Sequence, residues 1–182
     1  MRPGFQSACM AAKALRQDEE VLILVTLQHA HRLSLIRDVL RGSPRSWRFL
    51  IRLHPASFQR RSAIERYLKA SGHPQLEFCA ATSLPLYALL ENVDIHVTAS
   101  STCALEALSF GVPSVIVDSI GKAYFSDDIA NGTMAFADTA ESVVEKISQR
   151  SKGRVDPQRA RAYFADEEQT RKAITNLLGD LR

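Results

Sequence analysis

A series of strand-length apolar runs, separated by helix-length segments, constrains this chain more than any other feature. Val21–Leu27 (VLILVTL) is apolar at nearly every position, and Trp47–Leu53 (WRFLIRL) nearly so. Asp94–Thr98 and Pro113–Val117 repeat the pattern, Leu76–Ala80 is a shorter version, and Thr133–Phe136 is a sixth candidate. A strand with one wet face alternates polar and apolar residues; one that does not alternate is covered on both faces. Leu33–Leu40, Arg61–Ala70, Leu84–Leu90 and Ser101–Phe110 read as helices, with stops at Gly42, Pro44, Gly72 and Gly111. Strands alternating with helices over short connections predict a Rossmann-like α/β domain, a parallel sheet of five to six strands with helices on both faces. Right-handed crossovers place every strand-to-helix loop on one edge of that sheet. In open α/β sheets this is the edge that binds ligands.

Length and composition narrow the rest. The 182 residues suit one α/β domain, and 46% hydrophobic with 24% charged residues excludes a disordered chain. Residues 21–150 are expected to form the domain. Residues 1–20, with a short helical stretch at Ala8–Arg16, read as an N-terminal segment or interdomain connection. Residues 151–182 read as helices packing on the domain or across to a missing partner domain. Asp138-x-x-Glu141 and Asp166-x-x-Gln169 are expected to open two of the C-terminal helices. A net charge of +3 argues against a nucleic-acid partner. Cys9, Cys79 and Cys103 show neither CxxC nor Cys/His spacing, so no metal site or redox pair is expected. A reducing, cytoplasmic compartment follows. No apolar run is long enough to span a bilayer, so any work at a membrane is expected to be peripheral, at its inner face.

Two constellations fall on the ligand edge. The loop after the first strand, Gln28-His29-Ala30-His31, is not glycine-rich, which rules against a standard dinucleotide or P-loop site. After the fourth strand, Ser100, Ser101 and Thr102 start a helix. Their hydroxyls and N–H groups, with the helix dipole, suit an anion. Glu106 lies one turn beyond Thr102 on the same side. There a carboxylate can reach the ribose hydroxyls of a nucleotide whose phosphate sits on the Ser-Ser turn. The plainer alternative makes Ser100 or Ser101 only an N-cap and Glu106 a solvated residue. At the exit of the second strand stands Arg52-Leu53-His54-Pro55. Pro55 forces His54 into an extended conformation, which aims its ring at the ligand edge. A histidine there can donate to a phosphate or act as a general acid; the plainer alternative is a turn-stabilising residue.

The His54-Pro55 pair, the Ser-Ser-Thr turn and the E-A-L-x-x-G-x-P-x-V run from Glu106 to Val115 resemble the C-terminal domain of GT-B glycosyltransferases over roughly residues 20–150. The His-Pro and Ser-Ser pairing is similar to bacterial sialyltransferases, capsule polysaccharide transferases and teichoic-acid glycerophosphotransferases. The E-A-L run is shared with UDP-N-acetylglucosamine 2-epimerases. The resemblance implies one half of a GT-B fold that binds a CMP-, CDP- or UDP-linked sugar without metal or other cofactor. It places His54, the one catalytic candidate, on the donor phosphate with Ser100, Ser101 and Thr102, and Glu106 on the ribose. Arg52 is the nearest basic residue. Ala81 and Thr82, in the loop 80–83, would face the base through their backbone, and Gln28 would lie under the sugar or phosphate. Gly111 and Pro113 would be structural. Asp127 and Asp128 sit where such enzymes touch the transferred group or the other domain, although a solvated acidic loop is the favoured reading. A saccharide acceptor would bind through a missing N-terminal domain, in surface polysaccharide or glycolipid synthesis, so this chain alone is expected to be inactive. The alternatives are an epimerase-like domain and a non-catalytic nucleotide-binding or scaffold module.

Overall fold

A computed structural model describes residues 3–16, 21–28 and 32–163. In chain order the elements are α1 (Pro3–Lys13), β1 (Leu22–Leu27), α2 (Leu33–Gly42), β2 (Arg48–Leu53), α3 (Arg61–Lys69), β3 (Leu76–Glu77), α4 (Cys79–Ser83) and α5 (Leu86–Leu90). There follow β4 (Ile95–Thr98), α6 (Cys103–Ser109), β5 (Ser114–Ile116), α7 (Ser119–Tyr124), α8 (Ser126–Ala130), β6 (Met134–Phe136) and α9 (Ala140–Arg150). Short 3₁₀ turns span Pro55–Arg60 and Pro157–Ala162.

The six strands form one all-parallel sheet in the order β3-β2-β1-β4-β5-β6. Chain order therefore reverses between β1 and β4, the switch point at which open α/β sheets carry their crevice. The apolar runs do not alternate because both faces are covered. Ile23, Val25 and Leu27 point into a core with Ile36 and Val39 of α2, Ile64 of α3 and Val143 of α9. Leu22 and Leu24 point the other way, against Leu89 of α5, Ala107 of α6 and Phe5 and Ala8 of α1. All six residues of β1 are buried, and each large apolar side chain so covered contributes about 1.5–3 kcal/mol.

Local chemistry moves several boundaries. The third strand stops at Glu77 instead of reaching Ala80, because the Glu77 carboxylate accepts the Ala80 N–H at 2.8 Å and starts a helix. Residues 80–83 are consequently helical and not a loop. Pro85 delays the next helix to Leu86. The capping box of α9 is built by Thr139 and Ser142, not by Asp138 and Glu141: each hydroxyl accepts the other's N–H at 3.2 Å. Helix α1 begins at Pro3, ahead of the expected Ala8. The Asp166 helix start and the rest of the C-terminal helices lie outside the described residues. Before that point the chain turns back onto α6, where the Val155 N–H donates to the Gly111 carbonyl at 3.0 Å. Gly111 has φ +68°, and a Cβ there would lie 3.0 Å from the Val155 carbonyl oxygen. It serves this crossing as well as ending its helix.

Candidate functional site

Strands β1 and β4 are followed directly by Gln28 and by Ala99-Ser100. The Gln28 side-chain oxygen accepts both the N–H and the hydroxyl of Ser100, each at 3.1 Å. This clasp lies at the switch point and borders two clefts. The first, of about 280 Å³, brings together Gln28, Arg52, His54, Thr82, Ser101 and Glu106. These residues come from four separate stretches of chain.

Each side chain has a definite anchor. His54 is extended (φ −65°, ψ 142°), as the position before proline requires. Its Nδ1 accepts the Ala56 N–H at 3.2 Å. The neutral ring therefore carries its proton on Nε2, which is a donor. Arg52 Nη1 donates to the carbonyls of Leu84 at 2.6 Å and Ala81 at 2.9 Å, with Thr82 at 3.5 Å. Burial pulls the Arg52 pKa below its ordinary value, and the neighbouring Cys103 and Glu106 partly offset this. Thr82 lines the cleft, and its hydroxyl accepts the Leu53 N–H at 3.3 Å. Ala81 is fully buried and stands outside the cleft. The backbone expected to face a base is thus already held, its carbonyls turned to Arg52.

The Ser-Ser-Thr turn divides its duties. Ser101 is buried and accepts the Cys103 N–H at 3.2 Å. Thr102 is exposed, makes no cap and does not line the cleft. The Cys103 thiol pKa is raised, chiefly by burial; the Ser101 hydroxyl opposes the rise and Glu106 adds to it. Glu106 is partly buried, and its Oε2 lies out of water with no hydrogen-bond partner among the described residues. Native proteins rarely leave a carboxylate oxygen in that state, because desolvation without a donor costs several kcal/mol.

The second cleft, of about 300 Å³, is mostly apolar, with Thr26, Thr98, Ser100, Arg32 and Asp118 among its lining. Arg32 Nε donates to Asp118 at 3.0 Å, and Asp118 also accepts the Ile120 N–H at 2.8 Å. Arg32 is held at φ +70°, the left-handed region. Sequence reasoning missed Arg32, Asp118 and the cleft residue Phe58. Of these, Asp118 was findable, as an Asp N-cap directly after a strand.

No protein family's sequence profile matches the chain, and no curated protein matches it in sequence. Solved structures do match. The C-terminal CMP-Kdo binding domain of WaaA from Acinetobacter baumannii superposes with a TM-score of 0.58 at 15% identity, over 81% of this chain and 93% of that domain. UDP-GlcNAc 2-epimerase from Neisseria meningitidis, bound to UDP-GlcNAc, gives 0.58 at 19% identity, over 81% of this chain and 40% of that one. The wall teichoic acid polymerase TagF gives 0.53 at 12% identity, over 98% of this chain and 47% of that one. The chain thus spans less than half of the two longer proteins. It has the fold of the C-terminal nucleotide-sugar-binding domain of GT-B glycosyltransferases.

Within this fold the two acidic residues after β5 are not alike. Asp127 is exposed, whereas Asp128 is buried and accepts the Tyr163 hydroxyl at 2.5 Å. The solvated-loop reading fails for Asp128, which instead ties the segment after α9 to α8. Among the described residues no group of three or more His, Cys, Asp or Glu is arranged to hold a metal ion. None of their helices is long and apolar enough to cross a membrane.

Proposed function

We propose that the first cleft binds a nucleotide-activated sugar and that the chain is the donor-binding half of a glycosyltransferase. The observation that carries this reading is the buried, unpartnered Oε2 of Glu106. Glu106 lines the same cleft as His54, Ser101 and Gln28. Two adjacent ribose hydroxyls are the donors that such an oxygen lacks. With the ribose on Glu106, the phosphate reaches the Ser100 and Ser101 turn and the Nε2–H of His54. Those donors would stabilise the negative charge that builds as the glycosidic bond to phosphate breaks. The transferred sugar would then lie over Gln28, toward the second cleft. The acceptor would come from a second domain, in surface polysaccharide or glycolipid synthesis in the cytoplasm at the inner face of the membrane. The similarity to structures that bind CMP-Kdo or UDP-GlcNAc supports the donor class. It leaves an epimerase-like role as the second reading.

The test is calorimetric titration of the chain with CMP, CDP, UMP and UDP, repeated on Glu106→Gln and with 2′,3′-dideoxynucleotides. The substitution should weaken ribonucleotide binding by about 1–3 kcal/mol, the cost of a lost charge-assisted hydrogen bond. It should barely affect the dideoxy forms. Equal losses for both would remove the ribose assignment. A strong cytidine preference would count against the epimerase reading, and no binding at all would favour a scaffold. Sugar transfer by the isolated chain would contradict the need for a second domain.

A further inference from the structure

Phe58 lines the same cleft as Glu106 and Arg52, yet half of its surface (50%) is open to water. The chain does not leave that ring loose. Pro55 opens the 3₁₀ turn that carries it, and His54 Nδ1 accepts the Ala56 N–H. The His54 carbonyl accepts the Ser57 N–H at 2.8 Å, and Ser57 itself is buried. A turn anchored at three consecutive residues thus holds an aromatic side chain at the mouth of a cleft that already contains a buried orphan carboxylate oxygen.

The sheet order fixes where along the cleft this ring stands. The Gln28–Ser100 clasp joins the ends of β1 and β4, whereas Phe58 follows β2, on the opposite side of β1. A nucleotide with its phosphate at the clasp and its ribose on Glu106 extends its third part, the base, toward the β2 side. Leu86 and Pro55 line the cleft there and offer apolar contact but no flat face. We propose that Phe58 is the stacking face for the base of the bound nucleotide. Every base has a π-face, so stacking contributes affinity without choosing among bases. This inference rests on the reading of the cleft as a nucleotide site.

Titrations that compare nucleotide with ribose 5-phosphate, the same ligand without its base, test it. The 182-residue chain is titrated with CMP, UMP and ribose 5-phosphate, as are Phe58→Ala, Phe58→Trp and Glu106→Gln. Phe58→Ala should weaken both nucleotides about 5- to 160-fold, the range for losing one aromatic–base stack. It should leave ribose 5-phosphate unchanged, and Phe58→Trp should keep nucleotide affinity. Glu106→Gln should weaken all three ligands. Equal weakening of nucleotide and ribose 5-phosphate by Phe58→Ala would show that the ring only shapes the cleft wall and would overturn the proposal. So would unchanged nucleotide affinity in Phe58→Ala beside a loss in Glu106→Gln, and in that case the nucleotide reading would survive. A wild-type chain that binds none of the ligands would overturn both.

Discussion

His96 makes stability sensitive to acid, by an amount the structure lets one work out. Its side chain is fully buried, with Nε2 2.9 Å from Thr26 Oγ1 and Nδ1 3.0 Å from Ser114 Oγ. Thr26 donates its hydroxyl proton to Thr98 at 2.9 Å, and Thr98 donates to the Thr26 carbonyl at 3.3 Å. Thr26 Oγ1 is therefore left to accept from His96 Nε2–H, and Ser114 to donate to Nδ1. The neutral ring is fully partnered. Burial pushes its pKa from 6.5 down to about 3. Between those values the unfolded chain binds a proton that the native state refuses, so stability falls as pH drops from 6.5 toward 3. At about 1.4 kcal/mol per pH unit the whole interval is worth about 5 kcal/mol, and about 2 kcal/mol is lost between pH 7 and pH 5. His96→Gln has nothing to titrate there. Denaturant unfolding of both proteins at pH 7 and pH 5 should show the wild type losing about 2 kcal/mol more than the variant. His73, whose pKa burial also lowers, is common to both and cancels. Equal losses would mean that His96 is protonated in the native state, and the neutral network would be refuted.

Two further substitutions probe the switch point. A Cβ on Gly121 would lie 1.9 Å from the Ala99 carbonyl oxygen and 2.6 Å from Ile116 Cγ2; Gly121→Ala must therefore move backbone, at the upper end of the about 1–3 kcal/mol typical of overpacking. Thermal melts should show that loss, together with a smaller stabilisation by added nucleotide, because Ala99 leads directly into Ser100. Gln28→Ala removes the acceptor of two Ser100 donors and should cost about 1–3 kcal/mol. Nucleotide should then stabilise the variant more than the wild type, since its phosphate supplies the missing acceptor; an equal or smaller effect would remove the phosphate from Ser100.

The sheet was legible because its signal is simple: Leu22–Leu27 and the other long runs are buried on both faces and do not alternate. The short elements were not. Whether residues 79–83 form a helix or a loop depends on one carboxylate, Glu77, reaching Ala80, which no periodicity reveals. The six-residue helix α7 is set by the Asp118 cap and by the contact of Gly121 with Ala99, a tertiary fact. In the cleft, Glu106 stood out as a lone charge on a small, apolar helix, and His54 stood out because of Pro55. Phe58 did not stand out, because an exposed aromatic and a core aromatic look the same in one sequence. Arg52 was noticed, but its target, the carbonyls at the C-terminal end of α4, depends on packing between β2 and a helix some thirty residues on.

The Gln28–Ser100 clasp beside the first cleft and Glu106 within it stand in opposite states, and this bears on how the proposed site would work. The Ser100 donors are already satisfied by the neutral oxygen of Gln28, whereas Glu106 Oε2 is not satisfied at all. A phosphate arriving at Ser100 exchanges one acceptor for another, with a modest net gain. A ribose arriving at Glu106 removes the penalty of a buried orphan, a larger gain. Ground-state affinity would therefore concentrate on the ribose, which does not react. The gain at Ser100 and His54 grows as the phosphate collects charge during bond breaking. Binding that strengthens only as the reaction proceeds raises the rate and not merely the occupancy. After transfer, Gln28 can reclaim the Ser100 donors as the phosphate leaves, so product release need not expose an unsatisfied N–H.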